Sequence, residues 1–453
     1  MAKTKSVYVC QSCGVDSPKW IGRCPSCNEW NTYSEEIVSR AEKKGIHRAA
    51  SPSSPELISE ISLQNEPRLN THSPEFNRIL GGGIVPGSVI LIGGEPGIGK
   101  STLVLQIAMH MHHVKTLYIS GEESSRQIKL RADRIGSDKG DCYILCETGL
   151  EAIHTNLNNI KPGLVIIDSI QTLQSDNIDS PAGSISQIRD CAAGLLRYAK
   201  ETATPVILIG HITKEGALAG PKVLEHIVDV VLQFEGDHNH FYRVLRALKN
   251  RFGSTSEIGL YEMQENGLRE VDNPSEILIT NHDKDISGVA VSAMVDGMRP
   301  FLIEIQALVS TAAYGTPQRS STGFDLRRLG MLLAVLEKKA GFRLSTKDVF
   351  LNVAGGIKVL DPATDLAVIA AILSSDTDLP VPQDICLAGE VGLSGEIRPV
   401  GRLPQRIAEA EKMGYKKIVV SSFSKKEGLN KTGNIEILQA GKVEQLIRMI
   451  LKP

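Results

Sequence analysis

A chain of 453 residues with 42% hydrophobic and 23% charged side chains is long enough for two or three cored domains, and its composition is neither disordered nor membranous. No apolar run reaches the roughly 18 residues a helical span needs, and Met1-Ala2-Lys3-Thr4-Lys5 leads into cysteines rather than a signal-peptide core, so a cytoplasmic location without membrane partners is expected. A net charge of −2 confines any nucleic-acid surface to local patches.

Residues 7–33 carry Cys10-x-x-Cys13 and Cys24-x-x-Cys27, two knuckles separated by ten residues. In a chain with no secretory signal, four thiolates in two C-x-x-C turns predict a zinc ribbon rather than disulfides. Trp20 and Trp30 fall beside the cysteines and are expected to supply the bulk that so small a module needs around its metal. Residues 34–60 turn polar, with Arg40-Ala41-Glu42-Lys43-Lys44 and Ser51-Pro52-Ser53-Ser54-Pro55, and read as a linker to a second domain spanning 61–275.

The apolar run Ser88–Ile92 leads into Gly94-Glu95-Pro96-Gly97-Ile98-Gly99-Lys100-Ser101-Thr102, and Leu103–Ala108 has the character of a helix. Strand, G-x-x-x-x-G-K-S loop and helix in that order make a P-loop. Its glycines let successive N–H groups face phosphate oxygens at a helix N-terminus. Lys100 is expected to reach the β- and γ-phosphates of ATP, and Ser101 to ligate Mg²⁺.

Three further buried strands follow. Thr116–Ser120 is followed by Glu122 and Glu123, where open α/β sheets bind ligands. Glu122 is the first candidate for polarising the attacking water and Glu123 the second, the alternative being two solvated acids in a loop. Leu164–Asp168 ends in the acid of a Walker-B pattern, so Asp168 is expected at the Mg²⁺ water shell. Val206–His211 ends in a histidine that either senses the γ-phosphate or is an unremarkable strand-end residue. The stretches 174–186 and 213–222, the second with Lys214 and Lys222, are long enough to be functional loops. Tyr242–Gly253 reads as a strand finishing in Lys249-Asn250-Arg251-Phe252-Gly253, whose cations are either a solvated edge or fingers on phosphate. His110, His112 and His113 belong to a helix end. Cys142 and Cys146 are expected to pack inside a strand, and Cys191 and Cys386 stand alone.

A different fold begins after Asp272-Asn273-Pro274-Ser275 and occupies 276–453. Alternating runs at 286–295 and 302–309 predict strands, and 324–339 has helical spacing. Between residues 319 and 347, Arg319, Arg327, Arg328, Lys338, Lys339, Arg343 and Lys347 face only Asp325 and Glu337. That is either a solvated helix face or a groove that tracks phosphates.

Ribbon, ATPase and the Lys249–Gly253 signature together resemble the bacterial RadA (Sms) family over nearly the whole chain. The C-terminal segments Asp348–Gly356 and Ala388–Gly401 are similar to the proteolytic domain of Lon. The resemblance implies an α/β protein with an N-terminal zinc ribbon, a RecA-like P-loop core and a Lon-like α+β domain. It further implies a hexameric, DNA-dependent ATPase that moves on single-stranded DNA and promotes branch migration of recombination intermediates beside a RecA-type recombinase. Glu122 then falls at the water-activating position and His211 at that of the γ-phosphate sensor. Lys249 and Arg251 match residues that reach a neighbouring subunit's nucleotide, and 174–186 and 213–222 match DNA-facing loops. Lon chemistry needs a serine in G-P-S-A-G and a lysine in G-G-L-K, but here the segments read Asp361-Pro362-Ala363-Thr364-Asp365 and Gly401-Arg402-Leu403-Pro404. Neither alanine nor proline is a nucleophile or base, so proteolysis is not expected. An ATP-dependent protease and a KaiC-like regulatory ATPase are the competing classes.

Overall fold

The computed structural model describes residues 4–11, 14–39, 57, 68–136, 141–211, 222–236, 242–280, 286–312, 315–425 and 433–451. The chain divides into two compact units. One holds Met1–Glu235, Arg243–Thr255 and Tyr261–Glu270; the other holds Gly236–Tyr242, Ser256–Leu260 and everything from Val271.

At the N-terminus, β1 (Thr4–Cys10), β2 (Asp16–Ser17) and β3 (Tyr33–Ser39) form an antiparallel sheet with β1 in the middle. Its small core is Cys10, Cys24 and Tyr33, with Tyr8, Ile21 and Cys27 against them. The expectation for the tryptophans is wrong. Trp20 and Trp30 are 52% and 68% exposed, flanking Gly22, and the Arg23 guanidinium lies 5.8 Å from the Trp30 ring centre. Tyrosine and isoleucine fill the interior instead.

The larger sheet of the first unit has nine strands. In chain order they are β4 (Val89–Gly94), β5 (Thr116–Ser120), β6 (Cys142–Cys146), β7 (Leu164–Asp168), β8 (Val206–His211), β9 (Val230–Glu235), β10 (Tyr242–Asn250), β11 (Ile258–Gln264) and β12 (Gly267–Glu270). Their spatial order is β12-β11-β10-β9-β4-β8-β7-β5-β6, parallel from β9 to β6. β4, β5 and β7 are buried at every position because helices cover both faces. The pleat sorts their side chains. Ile90, Ile92, Tyr118, Ile166, Ile207 and Ile209 join one core with the helices α1 (Pro74–Ile79) and α2 (Lys100–His110). Val89, Leu91, Leu117, Ile119, Val165 and Leu208 join the opposite core, under α4 (Leu150–Ile160) and α5 (Ile185–Thr202), with α3 (Ser125–Ile135) between β5 and β6. As the last strand of the sheet, β6 leaves Cys142 half-buried and Cys146 exposed, so the expectation that both pack inside does not hold.

After the short helices α6 (Lys222–Ile227) and α7 (Pro274–Leu278), the second unit builds a seven-stranded mixed sheet. Its strands are β13 (Val289–Asp296), β14 (Arg299–Thr311), β15 (Arg319–Thr322), β16 (Lys347–Val353), β17 (Ile385–Ala388), β20 (Lys417–Ser421) and β21 (Glu436–Ala440), with the hairpin of β18 (Glu390–Val391) and β19 (Ile397–Arg398) beside them. Their order is β15-β16-β14-β13-β17-β20-β21. The helix α8 (Leu326–Ala340) starts at Asp325, whose carboxylate accepts from the Arg328 N–H at 2.8 Å, and stops at Gly341, which takes the left-handed conformation that favours glycine. α9 (Asp365–Thr377) is buried around its whole circumference over its first ten residues. α10 (Leu403–Lys412) covers β17 and β20, and α11 (Val443–Ile450) closes the unit.

Two acids of this unit, the buried Asp365 and the largely covered Asp361, are paired. Arg406 donates to Asp361 at 2.6 Å and to the carbonyls of Ala293 and Gly401, and Arg328 forks onto Asp365. Breaking a buried pair leaves an uncompensated charge, which costs about 3–5 kcal/mol. Arg406→Ala is therefore expected to lower the unfolding free energy of the second unit, read from urea denaturation, by that amount, while Arg398→Ala, whose side chain is 54% exposed, leaves it nearly unchanged.

Candidate active site and metal centre

The parallel strands deliver the predicted phosphate site to one edge. β4 ends at Gly94, and the chain turns through Gly97 (φ 77°) and Gly99 (φ 114°) into α2. At Gly99 the left-handed φ disfavours any side chain, with the Met263 methyl lying over the position, and at Gly94 a Cβ would sit 2.8 Å from the Phe234 carbonyl, which excludes one on steric grounds. Lys100 is 4% exposed and donates to the carbonyls of Gly94 and Glu95 at 2.7 and 2.8 Å. Burial pulls its ammonium down to about 8, partly opposed by Asp168, Glu122 and Glu95. Ser101 and Thr102, half-buried, open the helix.

Lateral pairing gathers the acids around that lysine. Ser120 and Asp168 are register partners on β5 and β7, and Gly94 and His211 are partners on β4 and β8. Asp168 is buried and accepts a short bond from the Tyr118 hydroxyl; burial, then Asp168, hold that phenol well above its usual range, so it stays a donor. The peptide between Asp168 and Ser169 is cis. Ser169 Oγ donates to Glu122 Oε1 at 2.6 Å. Glu123 is instead paired with Arg131. The two glutamates, neighbours in the sequence, thus have different surroundings. The His211 side chain is outside the described structure. Tyr118, Ser169 and the Met263 cover over Gly99 have no signal in the sequence beyond a tyrosine tip inside an apolar strand.

The Lys249–Gly253 turn lies elsewhere. Asn250 pairs with Val230, which pairs with Ile90, whereas Gly94 pairs with Phe234. Four residues of parallel strand separate those levels, about 13 Å. The two cations therefore stand at the edge opposite their own P-loop. Lys249 donates to the carbonyls of Glu225 and Val228 at 2.6 and 2.8 Å, and burial, then Arg251, lower its ammonium. Arg251 reaches Asp229 at 3.3 Å, and Asn250 bonds the Ile79 carbonyl at 3.1 Å. Arg68 joins the carbonyls of Leu80 and Phe252, both at 2.8 Å, and a Cβ on Gly253 would meet Gly81 Cα at 3.2 Å.

In the ribbon, the sulfurs of Cys10, Cys24 and Cys27 lie within 4.8 Å of one another, and Cys13 lies outside the described residues. Both knuckles repeat one backbone pattern. Gly14 N–H donates to Cys10 O and Asn28 N–H to Cys24 O at 2.8 and 2.9 Å, while Cys10 and Cys24 donate five residues on, to Val15 and Glu29. Converging, mostly buried thiols fit a zinc ion, which Cys10, Cys24 and Cys27 would hold as thiolates.

Among the DNA candidates, Lys214 and the rest of 212–221 lie outside the described residues, as does the Lys222 side chain. Arg319 and Arg327 are exposed, but Arg328 is turned onto Asp365 and Lys347 onto Asp376. Ala363 is buried with its carbonyl accepting from Gly389 N–H at 2.9 Å, and Pro404 is exposed in the first turn of α10. Among the described residues no helix is long and apolar enough to cross a membrane.

Residues 59–217 match the family model described as AAA domain, residues 8–35 that of the rubredoxin metal binding domain, and residues 330–423 that of subunit ChlI of Mg-chelatase. Over its full length the chain is 47% identical to the DNA repair protein RadA of Bacillus subtilis (strain 168), covering 100% of both chains. It is 48% identical to RadA of Listeria monocytogenes serovar 1/2a over 92% of each chain, and 44% identical to RadA of Halalkalibacterium halodurans over 100% of each.

A lysine that titrates near 8 binds a polyphosphate best when protonated. ATP affinity is expected to be level below pH 8 and to weaken above it, by up to tenfold per pH unit, in a calorimetric titration of the full chain. Because the folded-state value lies below the unfolded one, stability without nucleotide should rise with pH between about 8 and 10.5. Chelation of the metal is expected to expose the 4–39 segment to limited proteolysis while the ATPase unit stays protected.

Proposed function

This chain belongs to the RadA family of DNA repair proteins, ATPases with a RecA-like core, and we propose that it is a DNA-dependent motor that hydrolyses ATP between protomers of a ring. ATP with Mg²⁺ supplies the transferable phosphoryl group. In this reading the N–H groups from Gly94 to Thr102 cradle the phosphates, and Lys100 neutralises the β- and γ-oxygens. Ser101 and Asp168 hold the cation. Glu122, oriented by Ser169, accepts a proton from the attacking water, and His211 responds to the γ-phosphate. Glu123, bound by Arg131, stabilises the loop instead.

One observation carries the oligomeric part: Lys249 and Arg251 stand about 13 Å along the sheet from the level of their own P-loop, at its other edge. From there they serve the nucleotide of a neighbouring protomer, which favours a closed ring, a hexamer by family resemblance. Loops 174–186 and 213–222, with Lys214 and Lys222, and the exposed Arg319 and Arg327 then track a single strand through its phosphates. Arg328 is read as structural because it neutralises Asp365. The output is branch migration of recombination intermediates, with a RecA-type recombinase as partner. The domain units 61–275 and 276–453 divide this labour into motor and platform, the platform lacking the serine and lysine of a protease at Ala363 and Pro404.

ATP turnover should rise when single-stranded DNA is added at low salt and lose that rise as salt increases. Lys100→Ala is expected to reduce turnover at least a hundredfold. Lys249→Ala should retain ATP binding but lose DNA-stimulated turnover and movement of a branched substrate; unchanged branch movement by this variant would remove the finger role.

A further inference from the structure

Asp229 lies between α6 and β9 and is 2% exposed, yet it is an acid flanked by Val228 and Val230. Its carboxylate has three partners from three elements. The Val89 N–H, at the start of β4, donates to Oδ2 at 3.0 Å; Lys200, in the last turn of α5, donates to the same oxygen at 2.8 Å; and Arg251 donates to Oδ1 at 3.3 Å. The acid is inside while both cations reach in from the surface, with side chains 50% and 54% exposed.

We propose that Asp229 is a positioning residue, which stores Arg251 in the resting protomer and releases it to the neighbouring protomer's nucleotide under the control of Lys200. This deepens the reading above and rests on it. A buried carboxylate resists losing all its partners, because an unpaired charge in a low dielectric is strongly unfavourable. Here Arg251 makes the longest of the three contacts and Lys200 a short one. When Arg251 leaves, the acid keeps an ammonium and a backbone N–H, so the exchange is allowed. When α5 shifts and withdraws Lys200, Arg251 becomes the last cation on a buried acid and is held. α5 follows directly from the 174–186 stretch, so a load on that stretch reaches Arg251 through one carboxylate. Lys249 is mounted differently, on the carbonyls at the end of α6, and does not take part in the exchange.

The test is a double-mutant cycle on ATP turnover with and without single-stranded DNA, using the full zinc-loaded chain. Asp229→Asn, which no longer retains Arg251, should raise turnover without DNA and so lower the fold-increase on adding DNA about fivefold with the KM for ATP little changed, and should have no further effect once Arg251 is already alanine. Lys200→Met alters only a half-exposed side chain; its expected threefold loss should likewise vanish in the Arg251→Ala background, and it decides the question if Asp229→Asn fails to fold. Losses that multiply in the double variants, or a Lys200→Met protein indistinguishable from its parent, would overturn the inference and leave the motor standing. A parent protein whose turnover ignores DNA would overturn the motor reading, and the inference with it.

Discussion

Every strand from β6 to β9 runs the same way, and that polarity decides what meets what. A parallel sheet brings the last residue of each strand to a common edge, so Gly94, Ser120, Asp168 and His211 arrive side by side from distant parts of the chain. The loops that follow add Lys100 and Glu122 to the same rim. The first antiparallel strand, β10, runs back along the sheet and carries the cations of its final turn to the far edge. One chain therefore presents a phosphate cradle on one side and cations on the other, which is the arrangement a head-to-tail ring requires.

Residues defined by local chemistry were legible in the sequence. The P-loop needs glycines at fixed offsets between a strand and a helix, and the ribbon needs cysteine pairs, so spacing alone revealed them. Contacts made by lateral pairing were not. Ser169 meets Glu122 because β5 and β7 are neighbours, and nothing along the chain announces that. The difference between Glu122 and Glu123 likewise depends on Arg131, on a helix beyond them. Composition misled in the ribbon, where the largest side chains were expected inside; Tyr33, Tyr8 and Ile21 suffice for so small an interior, and the tryptophans stay on the surface. The basic count between 319 and 347 also overstated the free charge, since Arg328 and Lys347 neutralise acids of their own unit.

The second unit has the architecture of a Lon-like domain, with Ala363 and Pro404 in the segments where Lon has its serine and lysine. At the turn where a nucleophile would stand, Asp361 accepts the Ala363 N–H at 3.0 Å and pairs with Arg406 at 2.6 Å. Two residues after Ala363, Asp365 binds Arg328 and the Val391 N–H. Each carboxylate accepts three hydrogen bonds from its own unit, so both acids are committed to holding this turn together.

The turn from Lys249 to Gly253 is fastened where it touches the chain entering the ATPase fold. Two glycines cross at van der Waals distance, and one arginine bridges the carbonyls on either side. A lever with so stiff a fulcrum passes displacement on instead of absorbing it. Displacement of this turn is therefore passed to α1 and the strand entry behind it, while the Arg251 side chain alone is left to move on its own.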